Sequence, residues 1–308
     1  MKIFKPKFWS EVNLLSLLFL PFSLVTMSIY LLKEIIPGGK SFKIPIICVG
    51  NIYVGGTGKT PLSIYIFNLL KKKKFNPALI RKYYKSHSDE IDLTKSKVGS
   101  FFSNKKRISS IFDAKKSGNK VIVMDDGMQD TSVKKSLNII CFNSFDLVGN
   151  GFLLPAGPLR EPLMSLKKGK IVVINGEKNN SFERKIKKIS KNLKIFYSKY
   201  ILKDIYKYKG KKLLAFAGIG SPNNFFKLLK KNNLKVEKEI SFPDHYGYKK
   251  RDIQNLIDIS KKKDLKLITT EKDFFKIKKM GYKKIAYISI DVKILKQKKF
   301  EGEILKYL

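Results

Sequence analysis

At 308 residues the chain has room for two domains of ordinary size, each with its own core. Its formal net charge is +39, from 64 basic against 25 acidic residues, a field that attracts anionic membranes, nucleic acids or phosphorylated substrates. Arginine stands only at 81, 107, 160, 184 and 251 and lysine is spread evenly, which argues against a nucleic-acid reader; two histidines exclude a histidine-rich metal site, and Cys48 and Cys141, each in an apolar strand pattern, read as buried thiols.

Residues 14–32 carry no charge. At helical rise they extend about 28 Å, close to the hydrocarbon thickness of a bilayer. Lys2, Lys5 and Lys7 precede them, and Phe4, Phe8 and Trp9 suit a membrane interface. No small-residue cleavage site follows. The stretch therefore reads as a membrane-associated helix within residues 1–38, spanning or partial, rather than a signal peptide; a buried core helix is the competing reading.

An apolar strand over 44–49 leads into Gly50-Asn-Ile-Tyr-Val-Gly-Gly-Thr-Gly-Lys-Thr60, and a helical pattern runs from 61 to 70. Gly55, Gly56 and Gly58 let backbone amides turn inward around an anion at the start of a helix. Lys59 places a cation beside terminal phosphates, and Thr60 offers a hydroxyl to magnesium. The run Tyr53, Val54, Gly55, Gly56, Thr57, Gly58, Lys59 and Thr60 thus predicts a nucleoside-triphosphate site, with the departure that Tyr53 stands where the strict phosphate-loop pattern has glycine.

Further strands are expected over 78–80, 121–124, 137–142, 171–174 and 195–197, with helices over 108–116 and 182–193. This alternation indicates a parallel α/β sheet. The strand at 121–124 ends in Asp125-Asp126-Gly-Met-Gln129-Asp130, carboxylates placed to hold or orient magnesium downstream of a phosphate loop. Residues 81–90 read as polar and turn-rich. The Gly- and Pro-rich segment 149–162 carries Arg160, suited to a phosphate oxygen, and Glu161, suited to a metal; a structural loop with an exposed ion pair is an equal alternative. The polar stretch 203–211 marks a boundary, giving a nucleotide domain over 39–205 and a smaller α/β domain over 206–308.

In the second half a strand over 213–217 precedes Gly218-Ile-Gly-Ser-Pro222, which reads as a tight strand–helix turn, since it lacks a third glycine and a ribose-binding acid. Helices follow over 223–229 and 251–260, and strands over 265–269 and 285–288, before a short lysine-rich tail. Between them lie Phe242-Pro-Asp-His245-Tyr-Gly247, whose histidine suits a proton carrier or a structural hydrogen bond, and Thr270-Glu-Lys-Asp273.

Taken in order, Val-Gly-Gly-Thr-Gly-Lys-Thr-Pro, Asp-Asp-Gly-Met-Gln, Leu-Leu-Pro-Ala-Gly-Pro-Leu-Arg-Glu-Pro, Ala-Phe-Ala-Gly-Ile-Gly, Phe-Pro-Asp-His and Thr-Glu-Lys-Asp resemble the motifs of the tetraacyldisaccharide 4'-kinases of lipid A biosynthesis. The resemblance implies a P-loop NTPase-like parallel-sheet domain, a smaller α/β domain with the active site in the cleft between the two, and an N-terminal membrane helix. It implies transfer of the γ-phosphate of ATP, with magnesium (Mg2+), to the 4'-hydroxyl of a lipid-linked disaccharide 1-phosphate to form lipid IVA. The partners implied are that lipid and the cytoplasmic face of the bacterial inner membrane, with no nucleic acid and a monomeric chain.

By the same resemblance the catalytic pair falls on Asp89 and His245. Thr60, Asp125, Asp126, Gln129 and Glu161 serve magnesium and phosphate, with Lys59 on the phosphates and Arg160 nearby. Departures from the family pattern are Ser88 and Ile91 around Asp89, Arg81-Lys-Tyr-Tyr for an Arg-Gly-Tyr-Gly turn, and Asp130 for a histidine. The competing class is a membrane-tethered ATPase that binds nucleic acid or another protein.

Overall fold

The structure, a computed structural model, describes residues 6–36, 38–84, 88–244 and 246–308; for Ser88 and Asp89 it describes the backbone alone. The chain divides into two compact units: Lys5–Lys85 with Thr94–Tyr200 and Val292–Leu308, and Ser86–Leu93 with Ile201–Asp291.

The larger unit opens with α1 (Leu14–Leu18) and α2 (Leu20–Ile35). The single helix expected over 14–32 is therefore two, and no helix among the described residues is long and apolar enough to cross a membrane. Pro21 is the physical reason. It has no N–H to donate and its ring crowds the carbonyl four residues back, so α1 stops and α2 restarts with proline in its first turn. Ser16 and Ser23 face inward, whereas Leu14, Leu24 and Ile35 are 83, 67 and 78% exposed. The apolar face of both helices points outward.

The next elements are β1 (Ile46–Gly50), α3 (Lys59–Lys72), β2 (Pro77–Lys82), α4 (Ser88–Lys97), β3 (Phe101–Asn104), α5 (Arg107–Lys116), β4 (Val121–Asp125), β5 (Leu137–Asn143), β6 (Ile171–Asn175), α6 (Asn180–Ile189) and β7 (Lys194–Leu202). Then come β8 (Lys212–Ala217), α7 (Pro222–Lys231), β9 (Lys235–Ser241), α8 (Lys250–Lys262), β10 (Lys266–Thr270), α9 (Glu271–Lys278), β11 (Ala286–Ile288), β12 (Ile290–Ile294) and α10 (Gln297–Leu305). An eight-stranded sheet has the order β12-β7-β6-β5-β1-β4-β2-β3, parallel in every pair from β7 to β3. The smaller unit holds a parallel four-stranded sheet, β11-β10-β8-β9. The expected parallel α/β architecture is present.

Every residue of β1 and β4 is buried, as strands covered on both faces require; this is why they read as unbroken apolar runs. Their register positions the site. Val49 pairs with Asp125 on one side and Gly50 with Ile140 on the other. The turn after β1 and the carboxylates ending β4 therefore emerge side by side at the carboxyl edge of the sheet, where connections depart to opposite sides. The lysine-rich tail is a helix: Phe300 and Ile304 of α10 are buried in the same cluster as Leu69 and Phe196, with Phe300 edge-on to Phe196 at 5.1 Å.

Candidate active site

The glycine turn after β1 is shaped by two asparagines. Asn51 donates to the Tyr53 carbonyl at 2.6 Å and to the Thr57 hydroxyl at 3.0 Å. Asn143, at the end of β5, donates to the Gly56 carbonyl at 3.1 Å. Gly58 adopts φ +87°, which glycine alone takes without strain, and α3 starts directly after it at Lys59, two residues earlier than the sequence pattern indicates. Tyr53 does not disturb the turn, because its ring is buried in the cluster with Leu153 and Leu159. The segment 149–162 is laced to the turn: Val54 donates to the Pro158 carbonyl at 2.9 Å, and Arg160 donates its N–H to the Ile52 carbonyl at 2.8 Å.

That lacing delivers Arg160 to the carboxylates. Asp126 Oδ1 lies 3.5 Å from Lys59 Nζ and 3.5 Å from the Arg160 guanidinium. Asp125 is fully buried; it accepts from Thr60 at 2.9 Å, Ser63 at 3.0 Å and Arg81 at 3.2 Å. The two neighbours are pushed apart electrostatically. Burial raises the Asp125 carboxyl above the ordinary carboxylate range, against the pull of Arg81. Burial acts on Asp126 too, but Lys59, Arg160, Arg81 and Arg107 outweigh it and hold that carboxyl low. Asp126 therefore stays an anion near neutral pH, placed to answer a cation.

The sequence-predicted residues thus divide. Lys59, Thr60, Asp125, Asp126 and Arg160 converge. Gln129 donates to the Asn51 carbonyl at 2.7 Å, bracing the turn. Glu161 is buried and makes its ion pair away from the Asp126 cluster, with Lys168 at 3.7 Å; Lys168 also reaches Glu34 of α2 at 2.5 Å and lies over the Tyr30 ring. Asp130 pairs with Arg107 at 2.8 Å, and Arg107 donates to the Asp126 carbonyl at 2.5 Å. His245 and the side chain of Asp89 lie outside the described residues. Arg81, Arg107 and Ser63 join the site without having been singled out. In a chain with five arginines, three (81, 107 and 160) contact Asp125, Asp126 or Asp130.

The turn after β4 tolerates no side chain at Gly127. A Cβ there would run into the Met124 side chain and stand 3.1 Å from Cys48 Sγ. Gly127→Ala is expected to destabilise the protein by about 1–3 kcal/mol, read from chemical denaturation, because Met124 sits in a packed core and has little room to yield.

The donor set suits magnesium. Among the described residues no cage of three or more His, Cys, Asp or Glu side chains exists. Magnesium does not need one, since it is held by one or two carboxylates together with phosphate oxygens and water. Asp126 Oδ1 is buried and accepts no hydrogen bond, while the Thr60 hydroxyl is already oriented by Asp125. These are oxygen donors of the required type beside the glycine turn.

In the smaller unit, two of the remaining motifs meet. Asp273 is fully buried and accepts from the Gly218 N–H at 2.8 Å, the Thr270 hydroxyl at 2.8 Å and Lys276 at 3.1 Å. The Gly218-Ile-Gly turn is thereby a structural joint, as its missing third glycine suggests.

Comparisons with known proteins agree with this arrangement of motifs. A relative from Pelagibacter ubique named tetraacyldisaccharide 4'-kinase is 39% identical, covering 99% of this chain and 98% of its own. One of the same name from Rickettsia bellii is 32% identical, covering 95% and 94%. A crystal structure described as an "apo" form of LpxK from Aquifex aeolicus in complex with ATP matches with a TM-score of 0.74 and 25% identity, over 96% of this chain and 99% of that one. The family model described as tetraacyldisaccharide-1-P 4'-kinase matches residues 13–101 and 89–308. With its motifs in family order and its relatives spanning nearly its whole length, the chain belongs to the tetraacyldisaccharide-1-P 4'-kinase (LpxK) family.

Proposed function

We propose that the turn after β1 binds ATP and that the chain transfers its γ-phosphate to the 4'-hydroxyl of a tetraacyldisaccharide 1-phosphate, the step its family carries in lipid A biosynthesis. The observation that carries this reading is the convergence of Lys59 and Arg160, each 3.5 Å from Asp126 Oδ1, at the mouth of a glycine turn opening a helix. Two cations on one carboxylate beside a glycine turn and a helix start suit a polyphosphate and its counter-ion.

The chain's own residues supply binding and charge. The amides of Tyr53 to Thr60 and the start of α3 hold the phosphates. Lys59 and Arg160 move from Asp126 to the transferring group, neutralising charge that spreads over its oxygens. Thr60, Asp125 and Asp126 would hold magnesium, which would withdraw charge from the phosphate oxygens, while Gln129 braces the turn through the Asn51 carbonyl. Asp89 accepts the proton of the sugar hydroxyl, and His245 orients it, a contribution of about 10²–10⁴-fold in rate.

The acceptor is a lipid, and the outward apolar face of α1 and α2 suits its surroundings. Leu14, Leu18, Leu24, Val25, Leu32 and Ile35 are all exposed. These helices lie in the interface of the inner membrane at its cytoplasmic side, where ATP is available, without crossing it. The lysine excess adds attraction to anionic headgroups. One chain suffices for this assembly.

The test is transfer of label from γ-labelled ATP to tetraacyldisaccharide 1-phosphate in detergent micelles with magnesium. Labelled bisphosphorylated lipid is the expected product. ATP hydrolysis with no labelled lipid would overturn the kinase reading in favour of a tethered ATPase.

A further inference from the structure

Lys272, inside Thr270-Glu-Lys-Asp273, has no part in the chemistry described so far. Its surroundings in the smaller unit are unusually well fixed. Thr270 caps α9 by accepting from the Asp273 N–H at 3.1 Å, and Asp273 is locked by Gly218, Thr270 and Lys276. Lys272 leaves this anchored first turn with a side chain only 19% exposed. Its ammonium lies 2.6 Å from Glu90 Oε1 and 3.7 Å from Asp244 Oδ1. One cation therefore joins α4 to the loop that follows β9.

Both partners are sequence neighbours of proposed catalytic groups. Glu90 follows Asp89, and Asp244 precedes His245. Each anchor is one residue, about 3.8 Å of backbone, from a member of the pair. Both segments also have a second tie to the same unit. Asp92 of α4 pairs with Lys279 beyond α9. Past position 245, Tyr246 packs on Phe242 at 4.9 Å and Tyr248 at 5.3 Å, and its hydroxyl bonds Asp252 at 3.2 Å. Lys272 sets one positive charge against both carboxylates, and the low exposure of Lys272 and Glu90 strengthens that attraction over its value in water.

We propose that Lys272 is a positioning residue for phosphoryl transfer, holding the Asp89 and His245 segments in register through Glu90 and Asp244. The proposal rests on Asp89 and His245 being the catalytic pair. Lys272 touches neither substrate nor nucleotide in this role; it acts through the two segments that carry the pair.

The experiment is steady-state phosphoryl transfer by the full chain for wild type, Lys272→Met and Lys272→Arg, with Asp89→Asn and His245→Ala alongside. Lys272→Met is expected to lower kcat about 10- to 100-fold with KM for ATP within about twofold, and Lys272→Arg to recover most of the loss. A general loss of structure would move both constants and would not be rescued by arginine, and that outcome overturns the proposal. So does unchanged kcat in Lys272→Met while Asp89→Asn and His245→Ala are impaired, which leaves the catalytic pair standing. Wild-type kcat in both of those variants overturns the pair itself, and the positioning role with it. If Lys272→Met does not fold, Glu90→Gln and Asp244→Asn each remove one anchor, and a smaller fall in kcat at unchanged KM for ATP is expected from each.

Discussion

Lys59→Ala is expected to lower kcat for lipid phosphorylation by about 10²–10³-fold, the usual loss when one preorganised donor to developing charge is removed. The reason lies in what Lys59 does before ATP arrives. Its ammonium lies 3.5 Å from Asp126, with only 12% of the side chain exposed, so it is held at the glycine turn rather than moving freely in solvent. Bound phosphate offers it a better anion at little cost in reorganisation. The rest of the turn survives the substitution, because Asn51, Asn143 and the Pro158 carbonyl shape it independently of Lys59. Melting temperature should therefore hold while kcat falls. Steady-state kinetics with labelled ATP separate the alternatives. A rise in KM for ATP at unchanged kcat would mean that Lys59 binds ground state and transition state equally, contradicting its assigned role.

How far the sequence discloses all this depends on burial. The central strands β1, β4, β5, β6, β8 and β10 are covered on both faces and read directly as short apolar runs. β3 and β9 are edge strands. In β9, Lys-Val-Glu-Lys-Glu-Ile-Ser alternates exposed and half-buried positions, a pattern that lysine and glutamate disguise as a solvated segment. α4 is missed for a related reason: Ser-Asp-Glu-Ile-Asp-Leu-Thr-Lys-Ser-Lys has too few apolar residues to show a helical stripe. α10 hides in the lysine-rich tail, where only Phe300 and Ile304, four apart, carry its burial. At the N-terminus the apolar character is plain, but the break before Pro21 turns one span into two short helices.

The site follows the same logic. Lys59, Thr60, Asp125 and Asp126 occupy fixed places at the ends of apolar strands, so local order suffices to find them. Arg81 stands one residue before the end of the apolar strand β2 and meets Asp125 only because β2 pairs directly with β4, with Arg81 opposite Asp125. That adjacency is a property of strand order, which no local pattern contains. Lys168 and Lys272 are harder still, two lysines in a chain crowded with them. Their importance lies wholly in which carboxylates they reach.

Arg81 also carries the largest expected effect on stability. Its side chain is 9% exposed, and Nη1 donates at 3.2 Å to both Asp125 and Thr60. Arg81→Met keeps the bulk and removes the charge, leaving Asp125 fully buried with only two hydroxyls as partners. Breaking a buried pair in this way typically costs about 3–5 kcal/mol, and the remaining hydroxyls place this case toward about 3. For a unit of this size that corresponds to a fall in melting temperature of roughly 6–12 °C. The loss should depend on pH. Burial already raises the folded-state pKa of Asp125, and removing Arg81 takes away the first influence opposing it. A carboxyl raised in the folded state contributes stability that is fully present below its unfolded pKa of about 3.9 and is lost as pH rises through the folded value. The deficit of Arg81→Met against wild type should therefore grow from pH 5 to pH 8. Thermal unfolding in chelator, which keeps divalent cations from masking the carboxylate, measures it. Arg81→Lys should fall between the two, since lysine keeps the charge but lacks the planar fork of donors. Equal melting temperatures for wild type and Arg81→Met at pH 8 would mean that Asp125 is folded as the neutral acid. The Thr60 and Ser63 hydroxyls would then be sufficient to hold it.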